Sequence, residues 1–303
     1  LTETVQSASD PKLRARLARL ELRARTVVEG LRGGRHRSPA RGSSSTFAQH
    51  REYVPGDDIR HLDWRLMARG DRNIIREFEE ETDLHLHLVM DTSASMKFGE
   101  EPSKLEYAGW LAASLARIAC DQRDVFGLSL TQGEELLRSL PARGGEGHWQ
   151  SLLHALASVE AQGEGDPGRG LAAAAMALDR RGIVVWLTDG LGDPEEAANA
   201  VGLLRHRGHD VIVLRVLDPA EIDFPYQRNT RFLGLEGEEA LRLDPNAVRQ
   251  AYLETFELHA QEFRRRLRAL GGAVRRMPSN EPLEVGLVEF LARRSAALQR
   301  RGS

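Results

Sequence analysis

Apolar positions change their rhythm along this chain. From Leu13 the spacing is helical: Leu13, Leu17, Leu20, Ala24 and Val27 recur every three or four residues behind an Asp10-Pro11 start, and Gly30 ends the run. The opposite face is basic, with Lys12, Arg14, Arg16, Arg19, Arg23 and Arg25. Residues 34–45 (GRHRSPARGSSS) show no core pattern and read as a surface loop, residues 51–65 mix a Pro-Gly turn with charges, and 73–78 read as a strand entering an acidic turn. From Leu84 the texture becomes short apolar runs alternating with helical stretches. Strands are predicted over 84–90, 125–130, 134–140, 183–187 and 210–216, and helices over 103–120, 148–159, 170–179 and 194–207. RFLGLEGEEALRL reads as a hairpin turning at Gly237. A long helix follows with Val248, Tyr252, Thr255, His259, Phe263 and Leu267 on one stripe, then a strand over 273–277 and a closing helix over 283–293.

Apolar strands without a polar face, separated by helices, predict an α/β fold whose mainly parallel sheet is covered on both sides. We place the core from residue 83 to 303, with an inserted hairpin and long helix near 218–270, and a smaller helix, loop and strand region over 1–82. Composition changes this picture little. The 303 residues carry a net charge of −3, which gives no global argument for nucleic acid or membrane. Cys120 is the only cysteine, so no intrachain disulfide forms. No apolar run approaches a bilayer span and the N-terminus lacks the apolar run of a signal peptide, so a cytoplasmic protein is expected.

The candidate chemistry sits at two strand ends. Ligands of open parallel sheets bind beyond the carboxyl ends of the strands, and two strands here end in aspartate, at Met90-Asp91 and Thr188-Asp189. Asp91-Thr92-Ser93-Ala94-Ser95 adds two hydroxyls. Such hard oxygen donors suit Mg2+, Ca2+ or Mn2+; the alternative is a capped turn around a satisfied buried carboxylate. No Gly-x-Ser-x-Gly elbow, phosphate loop or His-Glu-x-x-His occurs, so no nucleotide is expected and an enzyme, including a metal-dependent hydrolase, is disfavoured. His85 and His87 share a strand face at the far, entrance end and read as packing residues. Asp57, Asp58, Arg60, Asp63, Trp64 and Arg65 form a charged cluster around an aromatic, either an ion-paired turn or a docking surface.

These residues carry a resemblance. Asp-x-Ser-x-Ser with a later strand-end Thr-Asp-Gly resembles the metal-ion-dependent adhesion site of von Willebrand factor A (vWA) domains. SPARGSSSTFAQHREYVPGDDIRHLDWRLMARG, IREFEEETDLHLHLVMDTSASM, SKLEYA, RVLDPAEIDFP and EPLEVGLVEFLARR resemble the bacterial family called domain of unknown function 58. The resemblance implies a vWA-like core, a metal set of Asp91, Ser93, Ser95 and Asp189, and a MoxR-type AAA+ ATPase as partner in maturing a client protein. It departs from the vWA pattern at one place. Where a threonine is expected, Gly168-Arg169-Gly170 stands, and no Ser or Thr occurs between Val159 and Leu187. Asp166 supplies the missing oxygen, fewer ligands hold the ion, or the Arg169 guanidinium bridges the carboxylates in its place. The rival function is nucleic-acid binding through the basic helix face with Arg32, Arg35, Arg37 and Arg41.

Overall fold

The computed structural model describes residues 11–34, 47–52, 74–78, 84–228, 230–232, 234, 241–288 and 290–292. The chain divides into two compact units, residues 35–83 and the remainder. In the smaller unit, β1 (Phe47–Glu52) pairs antiparallel with β2 (Ile74–Phe78). The pattern predicted β2 and missed β1, whose FAQHRE sequence has no apolar alternation. The Asp57, Asp58, Arg60, Asp63, Trp64 and Arg65 cluster lies outside the described residues, as do Arg35, Arg37 and Arg41.

The larger unit begins with α1 (Pro11–Gly34). After β3 (His85–Asp91) come α2 (Lys104–Asp121), β4 (Val125–Gln132), β5 (Glu135–Arg143), α3 (Glu146–Ser158), α4 (Pro167–Met176) and β6 (Ile183–Thr188). They are followed by α5 (Pro194–His206), β7 (Asp210–Leu217), α6 (Pro219–Asp223), the short pair β8 (Thr230–Phe232) and β9 (Leu241–Leu243), α7 (Pro245–Ala269) and β10 (Ala273–Pro278). Residues 284–288 and 290–292 are helical. The six-stranded sheet has the order β10-β7-β6-β3-β4-β5, parallel except for the antiparallel edge strand β5.

Alternation along the strands divides the core into two layers. Leu86, Leu88 and Met90 of β3 join α1, α2 and α3 on one face, while Val89, Val184, Trp186 and Val213 meet α4, α5 and α7 on the other. The N-terminal helix therefore does not belong with residues 35–82, as its position in sequence suggested. Its stripe of Leu20, Ala24, Val27 and Val28 is buried in the same core as α2. Part of its basic face also touches the core: Arg23 lies over Trp110 at 5.1 Å, Arg25 over Trp149 at 4.9 Å, and Arg16 donates to the Val159 carbonyl at 3.0 Å, while Lys12, Arg14, Arg19 and Arg23 stay exposed.

Two further expectations shift. On α7 the buried stripe is Phe256, Ala260, Phe263 and Leu267, with Thr255 exposed. Helix α4 starts at Pro167 rather than Gly170, because Asp166 caps it by accepting from Gly168 N at 2.7 Å and Arg169 N at 3.4 Å. The Gly168-Arg169-Gly170 stretch is thus the first turn of a helix and not a loop.

Candidate functional site

Strands β3 and β6 are parallel neighbours with Met90 opposite Leu187, so Asp91 and Thr188 emerge side by side at the carboxyl edge and Asp189 one residue later. After Asp91 the chain turns at once. Thr92 N and Oγ1 both donate to the Thr131 carbonyl on β4, at 2.8 and 2.9 Å, and Ala94 N donates to Gly163 O at 3.0 Å. These bonds hold Ser93 and Ser95 over the strand end with their hydroxyl oxygens 3.1 Å apart. Ser95, half-buried, also bonds the Asp189 carboxylate. The predicted residues Asp91, Ser93, Ser95 and Asp189 do meet in one place.

What surrounds the carboxylates was not anticipated. Asp91 is fully buried; its Oδ1 accepts from Ser93 N at 2.9 Å and its Oδ2 from Thr188 Oγ1 at 2.8 Å. Asp189 accepts from Leu191 N through Oδ1 at 3.2 Å and from the Lys104 ammonium through Oδ2 at 2.8 Å. Lys104, with no exposed surface, donates also to Glu221 Oε1 at 2.6 Å. A second buried cation stands behind: Arg215 Nε donates to the Asp189 main-chain carbonyl at 2.7 Å, and its guanidinium lies 5.5 Å from the ring centroids of both Phe256 and Phe263.

Local sequence explains these placements. Ser103 and Glu106 form a capping box that starts α2, which fixes Lys104 at its first position. Asp218 and Glu221 form another at α6, and Glu221 Oε2 accepts from Asp218 N at 2.8 Å while its other oxygen faces Lys104. Electrostatics follow from the geometry. Burial, and then the charge of Asp189, push the Asp91 carboxyl up to about 6. Burial works to raise Asp189, but the charge and hydrogen bond of Lys104, joined by the hydrogen bonds from Ser95 and Leu191 N, together outweigh it and hold that carboxyl below its usual range. Burial likewise works against the Lys104 ammonium, and Asp189 with Glu221 more than offset it, so the net direction is upward.

Arg169 and Asp166 do not take part. The Arg169 guanidinium pairs with Glu134 and Glu196 on the surface, each at 3.1 Å. Both Asp166 oxygens accept backbone N–H groups, Oδ1 at α4 and Oδ2 from Asp193 N at 2.6 Å. At two of the three positions a threonine is barred sterically. A Cβ at Gly168 would lie 2.5 Å from Ala197 N, and one at Gly170 2.4 Å from Gly133 O.

The donor set suits a hard divalent ion in kind, yet the residues as arranged do not fit one. Both oxygens of Asp91 and both of Asp189 already have donors, and one donor is itself a cation. Against an ammonium ~4.5 Å away, a divalent ion would be repelled by roughly 7 kcal/mol at an effective dielectric of about 20. Among the described residues no group of three or more His, Cys, Asp or Glu stands ready to hold a metal.

His85 and His87 lie at the opposite edge, as their place in the strand predicted. His87 Nε2 bonds the Arg180 carbonyl at 2.9 Å, and its ring stacks on His85 and meets His209 edge-on. Burial lowers both His87 and His209, the latter to about 4, so both imidazoles are neutral packing groups at pH 7.

Among the described residues no helix is long and apolar enough to cross a membrane. The chain is similar to uncharacterized proteins of Mycobacterium tuberculosis and Mycobacterium bovis, 30% identical to each over 297 residues, covering 95% of this chain and 92% of the relative. Its fold is similar to the crystal structure of the conserved hypothetical protein BatB from Bacteroides thetaiotaomicron, with TM-score 0.50 and 19% identity over 70% of this chain and 99% of that one. The crystal structure of the SpRpn10 VWA domain is also similar, with TM-score 0.40 and 13% identity over 66% of this chain and 91% of that one. The sheet carries helices on both faces, and a family model matches residues 49–262. The chain belongs to the family described as protein of unknown function DUF58.

Proposed function

We propose that this chain is a non-enzymatic protein-binding module, an adaptor or co-chaperone for a MoxR-type AAA+ ATPase that receives partner proteins at the carboxyl edge of its sheet. The observation that carries the reading is the composition of that edge. Hydroxyls and carboxylates are gathered there by two adjacent strand ends, but no nucleophile and base are open together to a substrate. Asp91, the carboxylate with raised affinity for a proton, is fully buried with both oxygens bonded. Asp189, which Ser95 does reach, is held acidic by Lys104 and is a poor general base. At the rim, Ser95 and the exposed Leu191 remain available to a protein surface.

A divalent ion at Asp91, Ser93, Ser95 and Asp189 is the second reading, favoured by the convergence of four oxygen-bearing side chains; it requires Lys104 to withdraw from Asp189. The nucleic-acid alternative loses Arg16 and Arg25, which bond within the fold, and keeps the exposed Lys12, Arg14, Arg19 and Arg23. The test is co-purification from the native host. The AAA+ ATPase is expected in the eluate, and less of it with Ser95→Arg or with substitutions among Asp57–Arg65. Recovery of no such ATPase would sink the proposal.

A further inference from the structure

We propose that the Lys104 ammonium is the resident cation of this site, built into the chain, and that the site works without a metal ion. The geometry is specific to a small point charge. Lys104 enters from the first position of α2, passes within 5.8 Å of the Phe98 ring centroid, and places Nζ between Asp189 Oδ2 and Glu221 Oε1. An arginine fork would not fit two carboxylates approaching one nitrogen in this way. The chain has three lysines, Lys12, Lys97 and Lys104, amid an arginine-rich complement, and one of them stands here.

Charge balance supports the same conclusion. Lys104 pairs with Asp189 and Glu221, and Arg215 bonds the Asp189 carbonyl beside them; with Asp91 this sets two cations among three carboxylates, so the buried cluster is within one unit of charge balance. A divalent ion placed among them would leave the cluster with excess positive charge in a region of low dielectric. The ammonium also joins three elements: the start of α2, the strand end of β6 and the turn of α6. It therefore holds the carboxyl edge in one shape, as a bound ion would. The inference takes its functional meaning from the docking role proposed above, but its test is independent of any partner.

The experiment is a divalent-ion titration of the purified full chain, read by melting temperature with Mg2+, Ca2+ and Mn2+ and by electron paramagnetic resonance of free Mn2+. Wild type is expected to show no saturable shift at millimolar ion. Lys104→Met, which removes the ammonium and keeps the stem, is expected to melt lower and to regain part of the loss on adding ion, because two buried carboxylates are left without their cation. A saturable stabilisation of wild type that Asp91→Ala abolishes would overturn the proposal. A folded Lys104→Met protein indifferent to all three ions would overturn the equivalence of ammonium and ion. If Lys104→Met does not fold, the wild-type Mn2+ spectrum decides alone: stoichiometric binding refutes the proposal and free Mn2+ upholds it. A failed co-purification with an ATPase leaves either outcome intact.

Discussion

Lys104→Met is expected to destabilise the fold by about 4 kcal/mol, the usual cost of leaving a buried charge without its partner. For a chain of this size that corresponds to a fall in melting temperature of roughly 10 °C. The cost does not come from the lost ion pairs as such, since buried pairs and well-packed apolar substitutes are often close in free energy. It comes from Asp189, 1% exposed, and Glu221, whose side chain is 11% exposed, which would keep their charges with no cation between them. A cycle of substitutions separates these terms. Adding Asp189→Asn and Glu221→Gln to Lys104→Met should restore most of the stability, whereas each of the two alone in wild type should destabilise. Urea denaturation measures all of them. If the triple variant were no more stable than Lys104→Met, the loss would be one of packing and not of charge.

The second large effect concerns the place where an adhesion-type threonine was expected. Gly168→Thr and Gly170→Thr should each cost about 3 kcal/mol or more, at the upper end for overpacking. The atoms in the way are main-chain ones, Ala197 N and Glu196 C at Gly168 and Gly133 O at Gly170, so no side-chain rotation relieves them. Arg169→Thr, between them, should change stability by less than about 1 kcal/mol, because it removes only exposed ion pairs. Denaturation of the three variants checks the contrast. Equal tolerance at all three positions would mean that α4 does not pack backbone to backbone against α5 and the β4–β5 turn.

The layering of the fold was legible because β3, β4, β6 and β7 each alternate between two buried faces and lack a polar one. The meeting of Asp91 and Asp189 was legible too, since both follow apolar strands and parallel neighbours end at one edge. Other parts needed partners that no local pattern shows. Thr188 was passed over beside Asp189, yet the register of β3 and β6 turns it onto Asp91. Asp166-Pro167 repeats the capped helix start recognised at Asp10-Pro11, and overlooking it turned the start of α4 into a loop.

Lys104 left the faintest trace. A lysine in the first turn of a helix stands against the helix dipole, and here it opens a helix apolar on nearly every side. That conflict signals an acidic partner, but Glu221 lies 117 positions away and its place is set by a separate capping box. Arg215 shows the same kind of signal, a lone charge in the otherwise apolar strand DVIVLRVL, and its counterpart is a main-chain carbonyl that sequence cannot point to.

The central claim is that a protonated lysine stands where a metal-dependent site would hold its ion. The side-chain ammonium resonances of this chain test it most directly, because only three lysines contribute. In a 1H–15N spectrum assigned with Lys104→Arg, the Lys104 Nζ signal should be that of a charged ammonium, protected from solvent exchange at neutral pH and unmoved by millimolar Mg2+. A Lys104 signal that exchanges as fast as those of Lys12 and Lys97, or that shifts as the ion is added, would contradict the account.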